Sequence, residues 1–388
     1  MFSNSSLTAA EIRRPHRADE YARNRVFQGI PAIAALPCGG IAAVWYSGGI
    51  TEGPDNYCVL AYGRNNIEDL QEPWFIIRHK SPHVRCFDPN VWVTPQGELM
   101  VIWNQSESAE NGSIFDGRGG VWTAVCKNPE AETPVWSNPV RIADGVQMNK
   151  PVVLSNGEWA FPTALWNDLE QYGAKKVVPE LRNAKYSNIT ISSDGGRTFE
   201  LRGGADVAER CFDEHMIIEK KDHSLQMYVR TLYGIGTSFS EDMGRTWSRG
   251  VNSNISSPNT RFYVGRLSSG NLLLIHNVDD SGKDYREHPW RPRRNLSARI
   301  SCDDGKTWGN ALLLDERSGT SYPDACQDET GAIWIIYDHA RYKGGHIYIA
   351  KITESDISAQ KLISEGSYLK REISSYPWKN EDENAQKQ

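Results

Sequence analysis

The stretch SEDMGRTW (240–247) has two near copies in the chain, SSDGGRTF (192–199) and SCDDGKTW (301–308). All three read Ser-x-Asp-x-Gly-x-Thr followed by Trp or Phe. The chemistry of such a segment is local. The Asp carboxylate takes up backbone N–H groups of a tight turn, the Gly adopts a conformation that side chains resist, and the aromatic ring tucks between strands. Weaker copies end at Trp74 and Trp136, so aromatic positions 74, 136, 199, 247 and 308 keep step along the chain.

A second pattern keeps the same step: a turn holding Gly or a polar residue, then an apolar strand. It reads CGGIAAVW (38–45), QGELMVIW (96–103), NGEWAFP (156–162), DHSLQMYV (222–229), SGNLLLIH (269–276) and TGAIWIIY (330–337). Taken at Gly39, Gly97, Gly157, His223, Gly270 and Gly331, these turns lie 58, 60, 66, 47 and 61 residues apart. A repeat of about 60 residues with room for four short strands is a propeller blade, and radial repetition protects most sheet edges. The predicted fold is therefore all-β: a six-bladed β-propeller with four-stranded antiparallel blades, spanning residues 26–375. Helical signals are confined to 354–363 and the first 25 residues. The sixth unit has little room for a fourth strand after HIYIAKI (346–352), so a terminal segment, from 1–25 or from 365–375, is expected to close the ring. The tail 376–388 reads as disordered from its composition.

Bulk properties narrow the function. Across 388 residues the net charge is −6, so there is no basic field to hold a polyanion, and nucleic acid is not an expected partner. The N-terminus lacks the apolar core of a secretory leader and no stretch reaches the length of a membrane span. A cytoplasmic location without membrane association is the expectation, an exported form with a trimmed leader being the other reading. Seven Cys, an odd number with no CxxC pair, predict reduced thiols rather than a disulfide framework or a zinc site. No metal or cofactor is expected.

In a propeller the first strand of each blade lines the axis, so its leading residues meet at one end of the channel. Counting back nine residues from each turn gives Ile30, Asp88, Glu214, Arg261 and Tyr322. The third blade, two residues shorter, gives Lys150. Five of the six are polar or ionisable, and titratable groups converging in a concave mouth mark a ligand site. The competing reading is a solvated structural rim. His215 follows Glu214 directly; strand alternation turns it to the opposite side, but at a strand entrance that rule can fail, so it stays a candidate. Asp338 and Arg341 read as a rim ion pair.

These segments resemble the sialidase (neuraminidase) superfamily, over about residues 26 to 352, and the three Ser-x-Asp repeats resemble its Asp-boxes (BNR repeats). RRNLSARISCDDGKTW…SGTSYPDA (293–325) is similar to the part of bacterial sialidases that carries an arginine, an Asp-box and the nucleophilic tyrosine, implying Arg293 (or its neighbour Arg294) and Tyr322. FDEHMIIEKKDHSLQMYVR (212–230) resembles the segment that supplies a glutamate and a second arginine, implying Glu214 and Arg230. RCFDPNVWVTPQGELMVIW (85–103) resembles the second-blade Asp-Pro segment, which places Asp88 at the pocket edge. SGGITEGPDN (47–56) resembles the acid/base loop, with Glu52 or Asp55 in that role.

The resemblance implies an exo-acting, retaining, metal-independent glycoside hydrolase whose partner is a carbohydrate. Sialic acid carries a carboxylate on its anomeric carbon; a tyrosine nucleophile activated by a glutamate avoids the repulsion that a carboxylate nucleophile would meet. Arginines clamp the substrate carboxylate. One departure stands out. Where the family has Phe-Arg-Ile-Pro this chain has FQGIP, with Gly29 in the arginine's place. Arg261 or Arg85 is the expected substitute; otherwise the site takes another sugar, such as a uronate or a neutral residue. Two rivals stand beside the hydrolase: a uronate lyase using Tyr322 and His215, and a non-catalytic carbohydrate-binding propeller.

Overall fold

The computed structural model describes residues 5–15, 25–37, 39–49, 51–64, 67–107, 117–166, 178–212, 214–278 and 292–376. Six antiparallel sheets follow one another along the chain, each built in sequence order from its inner to its outer strand. Blade 1 runs from Gln28–Ala35 through Ile41–Ser47 and Tyr57–Gly63 to Phe75–Arg78. Blades 2, 4, 5 and 6 begin at Val84–Val93, Met216–Glu219, Tyr263–Arg266 and Thr320–Gln327, and each has four strands. Blade 3 has the same plan with its first two strands interrupted, as Val146–Gln147 with Val152–Val153 and Trp159–Phe161 with Thr163–Ala164. Helix is confined to short turns, of which Glu354–Ala359 is the α-helical one among the described residues.

The three full repeats behave as their chemistry requires. In the blade 4 copy, Asp242 accepts the Thr246 N–H at 2.9 Å and the Thr246 hydroxyl at 2.6 Å, while Ser240 Oγ accepts the Gly244 N–H at 2.9 Å. The same pattern recurs around Asp194 and Asp303. The closing glycines, Gly196, Gly244 and Gly305, have φ of 84°, 87° and 84°, where a Cβ would be strained. Burial between neighbouring blades makes the core: Ile189 and Ile191 of blade 3 pack with Ile217, Leu225 and Met227 of blade 4, and Trp247 covers that cluster.

Ring closure falls to the C-terminal of the two expected segments. Tyr368–Ser374 pairs with His346–Ile352 and completes blade 6 with its own fourth strand. The N-terminal segment instead lays Glu11–Arg13 along Phe75–Arg78, adding a fifth strand to the outside of blade 1. The junction of blades 6 and 1 is a packed seam, with Ile33, Ile41 and Trp45 against Ile336, Ile347 and Ile349. Of the tail 376–388, all but Tyr376 lies outside the described residues.

Candidate active site

Three inner strands share a backbone device that aims side chains into the channel mouth. In blades 1, 2 and 6 the pairing register jumps, between Gly29 and Ala32, Phe87 and Asn90, and Ser321 and Asp324. Inside each jump sits a residue followed by Pro and held at positive φ: Ile30 at 54°, Asp88 at 43° and Tyr322 at 55°. A bulge of this kind inserts a residue and re-aims a side chain, and positive φ at a non-glycine residue marks a strained, over-determined position. All three side chains line one cavity of about 810 Å³, the size of a small-ligand site.

Tyr322 stands at its centre. Its hydroxyl lies 3.0 Å from Glu214 Oε1, to which it donates, and accepts from Arg230 Nη1 at 3.0 Å. Arg230 Nη1 also donates to Glu214 Oε1 at 2.6 Å, and its Nε is fixed by Asn259 at 2.6 Å. Glu214 and Arg230 are 2% and 1% exposed; the second Glu214 oxygen is buried with no hydrogen-bond partner, free to take a proton. Burial, with Glu214 behind it, pushes the Tyr322 phenol above its ordinary range, and three nearby guanidiniums offset this only in part. The resting group is thus a neutral phenol that needs its base.

Those guanidiniums belong to Arg230, Arg293 and Arg341. Arg293 lies 5.1 Å from the centre of the Tyr322 ring and Arg341 lies 4.2 Å from it. Arg293 is the member of its pair that lines the cavity; Arg294 is exposed outside the wall. The expected Asp338–Arg341 ion pair forms, but sequence reasoning did not foresee that Arg341 lines the cavity. Arg341 packs against Gly29: a Cβ there would sit 2.7 Å from Arg341 Nε and 2.8 Å from Arg341 Cγ. Asp338 holds it through Nε at 3.1 Å and Nη2 at 2.9 Å, and also accepts the Ile30 N–H at 2.8 Å and the Ser321 hydroxyl at 2.8 Å. One buried carboxylate thereby locks two bulges and the arginine together.

On the blade 1 and 2 side, Glu52, Arg85 and Asp88 line the cavity. Glu52 Oε1 accepts from Arg341 Nη1 at 3.2 Å and from the Tyr342 hydroxyl at 3.0 Å. Burial raises its pKa, but Arg341, Arg85 and these two bonds bring it net below the ordinary carboxylate range. Asp88 goes the other way. Burial first, then the neighbouring Glu52 charge, push it to about 7. Arg85 is 2% exposed and lies over the Phe87 ring at 4.1 Å.

Four expected site residues lie off this wall. Asp55 is exposed outside the cavity. His215 is buried, just ahead of the strand Met216–Glu219, and directed at the Asn188 carbonyl, 2.7 Å from its Nε2. Arg261 is wholly buried, donating to Asn149 at 2.8 Å and to the Pro31 carbonyl at 3.3 Å, with Asp324 at 3.5 Å. Lys150 also pairs with Asp324, and it faces a separate cavity between blades 3, 4 and 5. Neither Lys150 nor Arg261 has the positive φ of the bulged positions, and neither side chain lines the mouth cavity, although Glu214 does so without a bulge. They form a buried charge cluster along the axis, where both cations depend on one carboxylate.

Residues 41–335 match the family model described as the BNR repeat-like domain. The chain belongs to that family. No curated protein matches this BNR repeat-like chain in sequence. Among solved structures it is similar to a Hadza microbial sialidase, at 16% identity and a TM-score of 0.63 over 88% of this chain and 68% of that one. It is also similar to a protein of unknown function from Dyadobacter fermentans, at 15% identity and 0.61 over 89% and 97%. An α-L-arabinofuranosidase from Fusarium graminearum matches at 9% and 0.54, over 90% and 99%. At such identities the likeness establishes the six-bladed, sialidase-like propeller fold and nothing finer. No cluster of three or more potential metal ligands occurs among the described residues.

Proposed function

We propose that the chain is a retaining exo-glycosidase that releases a terminal acidic sugar, with Tyr322 as nucleophile and Glu214 as its base. The observation that carries this reading is the Tyr322 hydroxyl bonded to both Glu214 and Arg230 in the cavity. The phenol attacks the anomeric carbon and passes its proton to Glu214, while a second carboxyl of the cavity protonates the departing oxygen. Water then attacks the glycosyl-tyrosine, gives its proton to that same carboxylate, and the phenol recovers its proton from Glu214. Two further carboxyls line the cavity among the described residues, Glu52 and Asp88.

Charge favours an acidic sugar. Among the described residues the cavity is lined by five cationic side chains, Arg85, Arg230, Arg293, Arg341 and Lys343, against three carboxyls, Glu52, Asp88 and Glu214. This excess stands in a chain whose net charge is −6. Burial, with Arg230 and Arg341 beside it, holds Arg293 below its ordinary value. A substrate carboxylate supplies an anion, at about 1.5–3 kcal/mol per charge-assisted hydrogen bond. The lyase reading needs His215 beside Tyr322, and that imidazole is committed elsewhere.

A panel of 4-methylumbelliferyl glycosides tests this. The expected result is release of fluorophore from an N-acetylneuraminide or a hexuronide and none from an α-L-arabinofuranoside. Faster cleavage of the neutral furanoside would overturn the acidic-sugar reading. An ultraviolet-absorbing unsaturated uronate from polyuronides would identify a lyase, and binding without any product a carbohydrate-binding protein.

A further inference from the structure

We propose that Asp88 is the proton donor to the leaving oxygen, and that Glu52 is a charge-setting neighbour rather than the acid. The inference rests on the glycosidase reading above and assigns its acid. Asp88 occupies in blade 2 the bulged position that Tyr322 occupies in blade 6, with blade 1 and Ile30 between them. Both face the same cavity. The Asp88 side chain is 4% exposed, and that opening is the cavity itself. Among the described residues its carboxyl makes no hydrogen bond or ion pair, so a proton on it has no claimant but a bound substrate.

Glu52 is placed for the contrary task. Its Oε1 already accepts two hydrogen bonds, one from a guanidinium that is also tied to Asp338. Protonating it would break a charge-assisted contact. The groups facing Asp88 are Glu52, Tyr46 and Cys58 of blade 1, Arg85 of its own strand, Glu214 of blade 4 and Arg341 of blade 6. Burial and the two carboxylates outweigh the two guanidiniums, and Asp88 is driven to about 7 while Glu52 is driven down. Two carboxyls with environments that split them this way make an acid and its charge-setting partner. In the first step the proton leaves Asp88 Oδ for the glycosidic oxygen as the C–O bond breaks and the Tyr322 Oη–C bond forms. In the second, Asp88, now a carboxylate, takes a proton from the attacking water.

The test compares methyl and 4-nitrophenyl glycosides of N-acetylneuraminic acid and of glucuronic acid, because a nitrophenolate leaves without help from an acid. Asp88→Asn keeps the shape of the residue and a side chain tolerated at positive φ. It is expected to lower kcat/KM for the methyl glycoside by about 10²–10⁴-fold and for the nitrophenyl glycoside by less than about tenfold. Glu52→Gln is expected to discriminate between the two leaving groups no more than the wild type does. It should also move the alkaline limb of the pH profile to lower pH, since loss of a neighbouring negative charge lets Asp88 ionise sooner. A carboxyl ¹³C titration of Asp88 in the unliganded protein, wild type and Glu52→Gln, should show the same displacement. Leaving-group discrimination in Glu52→Gln instead, or an Asp88 that titrates as an ordinary carboxyl, overturns the assignment. A wild type that hydrolyses these glycosides while Asp88→Asn does so equally well sinks this inference alone. A wild type inert towards all of them sinks the glycosidase reading and this with it.

Discussion

Tyr322→Phe, a change of one oxygen atom, is expected to lower kcat/KM by roughly 10³-fold or more, the scale seen when a nucleophile is removed. Affinity for the sugar should stay within about tenfold of wild type. The ring that remains still stacks under Arg341 at 4.2 Å and Arg293 at 5.1 Å. Arg230 keeps its 2.6 Å bond to Glu214, so none of the three cations is left bare and the pocket keeps its shape. Initial rates on the glycoside that the wild type cleaves, paired with calorimetric binding of the released sugar, separate the two effects. Full activity in the variant would remove the phenol from the chemistry.

The second large effect concerns a residue with no side chain. Gly29→Ala is expected to destabilise the protein by about 1–3 kcal/mol, the usual cost of overpacking, and to cut activity at least tenfold. The added Cβ would meet Arg341 Nε at 2.7 Å, Arg341 Cγ at 2.8 Å and Asp338 Oδ2 at 2.8 Å. Arg341 cannot step aside at small cost, because Asp338, Glu52 and the Tyr322 ring hold it on three sides. In an Arg341→Ala background the same Gly29→Ala change should be much cheaper, with a coupling of about 1–3 kcal/mol between the two positions. Urea unfolding of the four proteins in the cycle measures it. Additive effects would mean that the two residues do not contest one space.

This exchange of an arginine between blades also shows why the site was only partly legible. The fold was readable because its signals are local: an Asp, a Gly and an aromatic ring within eight residues make a turn wherever they occur, and their even spacing counts the blades. Counting back from the turns found Asp88, Glu214 and Tyr322, since positions at one phase of a repeat reach the same end of the channel. It failed for Lys150 and Arg261. At Asp88 and Tyr322 a strand bulge with positive φ accompanies the turn into the mouth, and Lys150 lacks that conformation, although Glu214 reaches the cavity without it. The proline alone is no guide. The Asp338–Arg341 pair was legible, but not the place of Arg341 in the cavity, which is set across the seam between blades 6 and 1 by its packing against Gly29. A usable hint was present, however. Arg230 closes the second strand of blade 4, and Arg341 follows the second strand of blade 6 by two residues. The choice between Glu52 and Asp55 depended on the path of one loop, which spacing does not encode, and the three-residue outer strand Glu11–Arg13 is too short to carry a periodic signal.

The most direct test is to trap the sugar on the enzyme. A glycosyl fluoride of the cleaved sugar, with a second fluorine on the carbon next to the anomeric centre, slows both steps and lets the covalent species accumulate. Peptide mass mapping should then find a single glycosyl adduct, on the oxygen of Tyr322, formed in the wild type and absent from Tyr322→Phe. An adduct on Glu214 or another carboxylate, or steady turnover with inversion at the anomeric carbon, would contradict the account.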